Sequence, residues 1–224
     1  MNPLTRGVLM LAAAAGVAAQ TPSPNFAATM QEISQALGVT CNYCHSAERG
    51  SGQPEPKKDI ARAMMAMTRD INAKIEGAVG KPAAEAARVD CVTCHRGVAI
   101  PRQLPDLLFQ TLREKGAAAA IAQYRELHAR YYGRQAYDFG EDTLISVAQR
   151  IADARPDDAI ALLQLNLEFN PKSARSYTTL AYAYTRKIDD ASAMAALEKA
   201  LEIEPDNGVA RGQLEQLKSY HRQR

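Results

Sequence analysis

The chain has 224 residues, enough for one large or two small domains, and its 46% hydrophobic content can fill a core. Aromatic residues make up only 6%, tryptophan is absent and alanine is abundant, a composition that favours closely packed helices over a sheet sandwich. The formal net charge of +2 is too small to indicate a nucleic-acid or membrane surface by itself. We therefore expect an all-α protein.

The first 19 residues have the pattern of a cleaved export signal. Arg6 precedes an apolar run over residues 8–19, which ends in small residues just before Gln20, as a signal peptidase requires. A membrane anchor needs about 20 apolar residues, and this run is shorter. No cysteine directly follows the run to accept a lipid. We expect residues 1–19 to be removed and the mature protein to be periplasmic or extracellular, without a membrane span.

All four cysteines and two of the four histidines lie in two copies of the pattern CxxCH. The residues are Cys41, Cys44 and His45 in the first copy and Cys91, Cys94 and His95 in the second. Three other interpretations compete. A disulfide scaffold would scatter cysteines through loops, and a redox CxxC pair needs no following histidine. A four-cysteine zinc site usually has its pairs about 15 to 20 residues apart and has no use for the histidines.

The spacing of CxxCH fits the covalent attachment of haem. Two thiols in one tight turn can form thioethers with the two vinyl groups of a porphyrin, while the next residue points an imidazole nitrogen at the iron. We therefore predict two covalently bound haem c groups, one at each motif. His45 and His95 are the predicted proximal ligands.

The ligand on the opposite side of each iron decides between electron transfer and catalysis, because a saturated iron cannot bind peroxide or oxygen. His128 and His221 lie far downstream without a supporting motif, and a solvated or hydrogen-bonded histidine is the simpler interpretation of both. Methionine is the better candidate. A predicted helix carries Met30 on an apolar stripe, eleven residues before Cys41, and should end at Gly38 in a left-handed conformation.

A second predicted helix begins at Pro56 and should end at Gly77. Met64 and Met67 lie on its apolar stripe, and Met65 points away from that stripe. A methionine on an apolar helix face is ordinarily part of the core. The residues alone therefore leave both interpretations open for each methionine.

Residues from about 25 to 101 resemble half of the cytochrome subunit of photosynthetic reaction centres. In this four-haem family, a methionine-bearing helix precedes each of three attachment motifs. The resemblance rests on TM at residues 29–30, ALGVTCNYCH ending at His45, KKDIARAMMAMTRDIN at residues 57–72 and VDCVTCHRG ending at Gly97. It implies that Met30 is the distal ligand of the first haem and Met64 that of the second, with Met67 as the runner-up.

The chain also departs from that family. The four-haem subunit carries a histidine between its second methionine helix and its second motif, whereas residues 73–90 here contain none. The sequence also has no third or fourth CxxCH. The chain therefore resembles a stand-alone two-haem unit.

A second type of sequence follows the motifs. We predict a cytochrome domain over residues 20–100, a linker at 101–105 and a helical domain over 106–224. EFNP ending at Pro171 and EIEP ending at Pro205 lie 34 residues apart, the period of a tetratricopeptide repeat. The expected packing positions of the unit before Pro205 are Tyr177, Leu180, Ala181, Tyr184, Ala193, Leu197 and Ala200. A helical solenoid with a polar terminal helix is predicted.

The expected function is electron transfer by an exported c-type cytochrome that is not an enzyme. The repeat domain would bind a redox protein or other copies of the chain, which could align haems in a row. One alternative is a peroxidase-like enzyme with one open distal site. Another is a haem-bearing scaffold that binds an extracellular polyanion such as DNA. Its candidate basic residues are Arg113, Lys115, Arg125, Arg130 and Arg134.

Overall fold

The computed structural model describes residues 25–45, 54–81 and 85–222, and this part of the chain is all-α, as predicted. It contains ten α-helices, one short 3-10 turn and no strand. The elements are α1 (Phe26–Leu37), the 3-10 turn (Cys41–Tyr43), α2 (Pro56–Val79), α3 (Cys91–His95), α4 (Leu104–Lys115), α5 (Ala117–Tyr131), α6 (Glu141–Ile151), α7 (Pro156–Phe169), α8 (Ala174–Arg186), α9 (Asp190–Ile203) and α10 (Gly208–Arg222). The predicted export signal lies outside the described residues. No helix among the described residues is long and apolar enough to cross a membrane.

The boundaries of α1 and α2 test two glycine predictions. Gly38 ends α1 with a left-handed φ of 64°, as expected. Helix α2 begins at Pro56, also as expected, but the predicted end at Gly77 is wrong. The helix continues to Val79, and Gly80 caps it with a φ of 62°. A glycine inside a helix costs only about 0.5–1 kcal/mol relative to alanine, which is too little to stop a helix of 24 residues at Gly77.

The main hydrophobic core lies in the region from α4 to α10. Helix α4 packs on α5 and α6, α6 packs on α7 and α8, and α9 packs between α8 and α10. Leu108, Leu144, Leu163 and Leu197 are fully buried and join these helices. Since α4 begins at Leu104, which is buried in this core, the last two residues of the predicted linker form the first turn of a packed helix.

The helices after α5 recur at a regular spacing. Helix α8 begins at Ala174 and α10 begins at Gly208, 34 residues later. The small and aliphatic packing positions predicted in this unit are buried, and its two tyrosines, Tyr177 and Tyr184, are half-buried against the core. Leu214 is buried in α10 while Arg211 is exposed, which matches the expected polar outer surface. Sequence periodicity therefore located the packing faces of these helices correctly.

An aromatic cluster joins α5 to α7 and to the segment before α6. The ring of Tyr124 meets Phe139 edge-on at 5.7 Å and Phe169 at 5.5 Å, and its hydroxyl donates to the Phe139 carbonyl at 3.5 Å. Burial, with a smaller contribution from Asp138, raises the pKa of Tyr124 to about 12, so the hydroxyl stays neutral. His128 also belongs to this cluster.

His128 was expected to be solvated or hydrogen-bonded, and the structure adds ring contacts that were not predicted. Its imidazole is half-buried and stacks on Tyr132 at 4.4 Å, with Phe169 also at 4.4 Å. The histidine therefore contributes a flat ring to the packing between α5 and α7. The side chain of His221 lies outside those described.

Ile188 occupies an unfavourable backbone conformation between α8 and α9. Its φ is 62°, and its side chain is 88% exposed. The turn is a Schellman motif, in which the amide of Asp189 donates to the Tyr184 carbonyl at 3.0 Å. A β-branched residue in the left-handed region costs about 1–2 kcal/mol, and this exposed side chain offers little packing in return.

We expect Ile188→Gly to raise the free energy of unfolding by about 1 kcal/mol, because glycine adopts this conformation without strain. Urea denaturation of the full chain would measure the gain. Lys187→Gly is the matched control, since Lys187 is exposed and has right-handed helical dihedral angles. It should be neutral or destabilising. Equal effects of the two substitutions would contradict the strain argument.

Candidate haem sites

The first CxxCH motif forms a single tight turn. The Cys41 carbonyl accepts hydrogen bonds from the amides of Cys44, at 3.3 Å, and His45, at 3.0 Å. The turn starts immediately after Thr40, only two residues beyond the glycine that ends α1. Cys41 and His45 are exposed and Cys44 is half-buried. The two thiols and the imidazole therefore project from one turn, as covalent attachment requires.

The second motif forms the short helix α3. The amide of Asp90 donates to Thr93 Oγ1 at 3.0 Å, which fixes the first turn of this helix. Arg96, with φ 49°, and Gly97, with φ 89°, then reverse the chain. The motif thus has ordered structure on both sides.

The imidazole of His95 is oriented by a backbone contact. Its Nδ1 lies 3.0 Å from the carbonyl oxygen of Val98, which is buried. A carbonyl can only accept a hydrogen bond, so Nδ1 carries the proton and donates. Nε2 is then unprotonated and can coordinate a metal. The geometry selects the tautomer that a proximal iron ligand needs.

The chemistry of the four cysteines separates the competing interpretations. None of the four forms a disulfide, so the disulfide interpretation is not realised in this structure. Among the described residues, no group of three or more histidine, cysteine, aspartate or glutamate side chains comes together in a metal-binding arrangement. Burial raises the pKa of the Cys91 thiol, with Asp90 and Glu32 adding to the effect. The contribution of Glu32 indicates that α1 runs close to the second motif.

The candidate methionines lie on α1 and α2, as the sequence predicts. Met30 is half-buried on α1. On α2, Met64 is 43% exposed and Met67 is 47% exposed, and both lie on a face shared with Ile60, while Met65 is half-buried. The structure brings none of these sulfurs into a described contact with either histidine. The assignments of Met30, Met64 and the runner-up Met67 stay predictions.

These residues fit a covalently attached haem. Each motif offers two thiols for covalent attachment and one imidazole in a single turn, and imidazole nitrogen and methionine sulfur are donors that haem iron accepts. Exposed apolar side chains that could cover a porphyrin face lie on the helices of the two sites: Phe26 on α1, Ile60 on α2 and Val92 on α3. The donor set and its apolar surroundings are therefore appropriate for the group.

Two contacts at the site were not predicted from the sequence. The amide of Gly97 donates to the Ala36 carbonyl of α1 at 2.8 Å, so the end of α1 rests on the turn after the second motif. A Cβ atom on Gly38 would lie 2.0 Å from the Gly97 carbonyl oxygen. The second contact joins Asn72 on α2 to the backbone of Val89, with bonds of 2.9 and 2.8 Å. The sequence signal for this second contact was Asn72 itself, a polar residue that forms helices poorly and lies in the middle of an amphipathic helix.

Comparison with known protein sequences identifies the family of this chain. The sequence profile of the photosynthetic reaction centre cytochrome C subunit matches residues 15–132, more than half of the chain. The chain belongs to this family. As a c-type cytochrome, it holds haem through covalent bonds. The match includes both CxxCH motifs and continues through α4 and α5, which pack with the C-terminal helices.

Two curated relatives share the cytochrome region. Cytochrome c-554 of Chloroflexus aurantiacus is 42% identical over 65 residues, which cover 29% of this chain and 15% of the relative. The photosynthetic reaction center cytochrome c subunit of Rubrivivax gelatinosus is 32% identical over 83 residues, covering 32% of this chain and 22% of the relative. The chain thus matches less than a quarter of either relative's length.

Proposed function

We propose that this reaction-centre-type cytochrome is an exported electron carrier with two haem c groups. The observation that carries the proposal is the arrangement at the second motif, where two thiols and an imidazole of fixed tautomer occupy one helical turn. The first motif has the same order of donors in a similar turn. Two complete sets of attachment residues support two haems.

Bound haem supplies a one-electron iron couple, and the residues of the chain set its properties. His45 and His95 would be the proximal ligands, and the methionines Met30 and Met64 the distal ones. A methionine ligand raises the reduction potential and closes the iron to peroxide and oxygen. The family and both relatives are cytochromes, which favours electron transfer over the peroxidase-like alternative.

We propose that the helices from α4 to α10 form a tetratricopeptide-type docking domain. A groove of about 490 Å³ lies between α8 and α10, and its lining includes Tyr182, Gln213 and Tyr220. Aromatic rings and amides in a helical groove suit a peptide or a helix as ligand. The partner would be a redox protein or another copy of this chain.

The basic residues of α4 and α5 give less support to a polyanion partner. Arg125 Nη2 contacts both carboxylate oxygens of Glu168, at 2.9 and 2.7 Å. Arg130 lies over the ring of Tyr131 at 5.1 Å. Because these cations already interact within the protein, we favour a protein partner over nucleic acid.

Haem content tests the proposal. The full chain, matured in a host that attaches haem c, should contain two haems by mass spectrometry and by its pyridine haemochrome spectrum. Replacing Cys41 and Cys44 by serine should remove one haem, and replacing Cys91 and Cys94 should remove the other. One haem or none in the wild-type protein would contradict the two-haem assignment.

Carbon monoxide binding separates the carrier from the enzyme. The reduced wild-type protein should not bind carbon monoxide readily, because sulfur occupies the sixth position of both irons. Met30→Leu should open one iron and Met64→Leu the other. Rapid binding by the unmodified protein would favour a peroxidase-like role.

A further inference from the structure

The amide of Asn72 is paired with the main chain of Val89 in both directions. Its Nδ2 donates to the Val89 carbonyl at 2.9 Å, and the Val89 amide donates to its Oδ1 at 2.8 Å. The side chain is 7% exposed. Val89 is two residues before Cys91, so the pairing holds the segment that enters the second attachment motif.

Asn72 is an unusual residue for its helix. Of the 24 residues of α2, it alone is buried. Asparagine is a poor helix former, and a buried amide is unfavourable unless its donors and acceptors are paired. The position therefore does not serve the stability of α2 itself. It attaches α2 to the chain in front of α3.

The pairing connects the two elements that would hold the same iron from opposite sides. Met64 lies eight residues before Asn72, about 12 Å along the helix axis at 1.5 Å per residue. His95 lies six residues after Val89, in a motif whose turn is fixed by the contacts described above. Eleven residues link the end of α2 to α3, so chain connectivity alone does not set the distance between them. For the first haem, three residues link α1 to its motif.

We propose that Asn72 is a positioning residue for the second haem, and that its amide sets the distance and register between the α2 methionine and His95. The inference rests on the proposed two-haem function. It assigns Asn72 no contact with iron or porphyrin. The side chain acts through α2, and it should affect the second haem without affecting the first.

Two substitutions of Asn72 and one control substitution test its pairing with Val89. Asn72→Asp keeps an acceptor for the Val89 amide but places a carboxylate oxygen against the Val89 carbonyl. Asn72→Ala removes both bonds. Asp70→Asn is the control, since Asp70 is exposed on the same helix two residues away.

The experiment uses the full chain with its haems attached. We expect Asn72→Ala to retain two haems per chain and to lose about half of the methionine-to-ferric-iron charge-transfer absorption. One of the two reduction potentials should fall, and the reduced variant should bind one carbon monoxide per chain. Hydrogen exchange at the Val89 amide should accelerate at least about tenfold. Asn72→Asp keeps one bond but adds a repulsive contact between carboxylate and carbonyl, so it should change the same haem, and Asp70→Asn should match the wild type.

A double-mutant cycle identifies the affected haem. If Asn72 acts through the α2 ligand, Met64→Leu should cause no further loss of charge-transfer absorption in the Asn72→Ala background. Met30→Leu should remove the remaining half. Met67→Leu follows the same cycle, and whichever α2 methionine is the ligand should show the coupling.

The outcomes are separable. Fewer than two haems in the wild-type protein would refute the two-haem function itself. With two haems present, faster exchange at Val89 but unchanged absorption and potentials would overturn the proposal, because the bonds would then position no ligand. Equal changes at both haems would also overturn it. If the Asn72→Ala variant fails to incorporate haem, the same measurements on Asn72→Asp test the proposal.

Discussion

Gly38→Ala is expected to lower the free energy of unfolding by about 2–4 kcal/mol and to impair haem incorporation at the first motif. The backbone at Gly38 has a φ of 64°, which costs a residue with a side chain about 1–2 kcal/mol. The new Cβ would also lie 2.0 Å from the Gly97 carbonyl oxygen and 2.8 Å from its carbonyl carbon. These are backbone atoms, so the overlap is relieved only by moving α1 away from the turn after His95. Thermal unfolding followed by far-ultraviolet circular dichroism, together with haem content, would measure the effect.

Two glycines of the α2 region, one inside the helix and one at its C-terminal cap, provide matched controls. Gly80 has a φ of 62°, but a Cβ there would meet nothing within 4 Å, so Gly80→Ala tests the conformational strain alone. Gly77 lies inside the helix with the same open space, and Gly77→Ala should stabilise the protein by about 0.5–1 kcal/mol. The close contact predicts that Gly38→Ala is clearly worse than Gly80→Ala. Equal losses would show that the contact with Gly97 contributes nothing.

Asn166→Leu is expected to destabilise the C-terminal helices by about 2–4 kcal/mol, because it leaves buried polar groups without partners. Asn166 is fully buried on α7. Its Nδ2 donates to the Glu141 carbonyl at 3.0 Å and to Ser176 Oγ at 2.7 Å, so one amide connects the starts of α6 and α8. Leucine has the same branching and the same number of side-chain heavy atoms, so it removes the hydrogen bonds without leaving a cavity. The midpoint of urea denaturation of the full chain would report the change.

Gln164→Leu is the control for that substitution. Gln164 is exposed on the same helix, and its replacement should change stability by no more than about 0.5 kcal/mol. Similar midpoints for the two variants would mean that the buried amide does not stabilise the junction of α6, α7 and α8.

The sequence predicted those parts of the structure that depend on local pattern. The left-handed end of α1 at Gly38 follows from a single glycine after an apolar stripe, and the 34-residue spacing of the later helices follows from repeated packing positions. The end of α2 was misplaced because a glycine can remain helical when nothing requires it to turn. Gly80 ends the helix, and Pro82 follows in the sequence two residues later, where a helix could not continue.

The features that the sequence did not predict depend on contacts between segments that are distant in the chain. Periodicity identified the face of α2 that carries Met64 and Met67, but it cannot show that Asn72, on another face, meets a backbone 17 residues away. Periodicity also identified Gly38 as a helix end, but it gave no indication that the Gly97 carbonyl approaches Gly38 closely. The ring contacts of His128 were missed for the same reason, because the four aromatic rings around it come from α5, α7 and the segment before α6.

The hydrogen bond from Gly97 to Ala36 has a consequence for the order of assembly. The N-terminal segment is synthesised first, so residues 26–37 leave the ribosome well before the residues that support the end of α1. Until residues 91–98 have been synthesised, the end of α1 lacks its hydrogen bond to Gly97, and Cys41 and Cys44 follow a helix that is not yet supported by this contact. The Ala36 carbonyl therefore gains its Gly97 partner only after both attachment motifs have been synthesised.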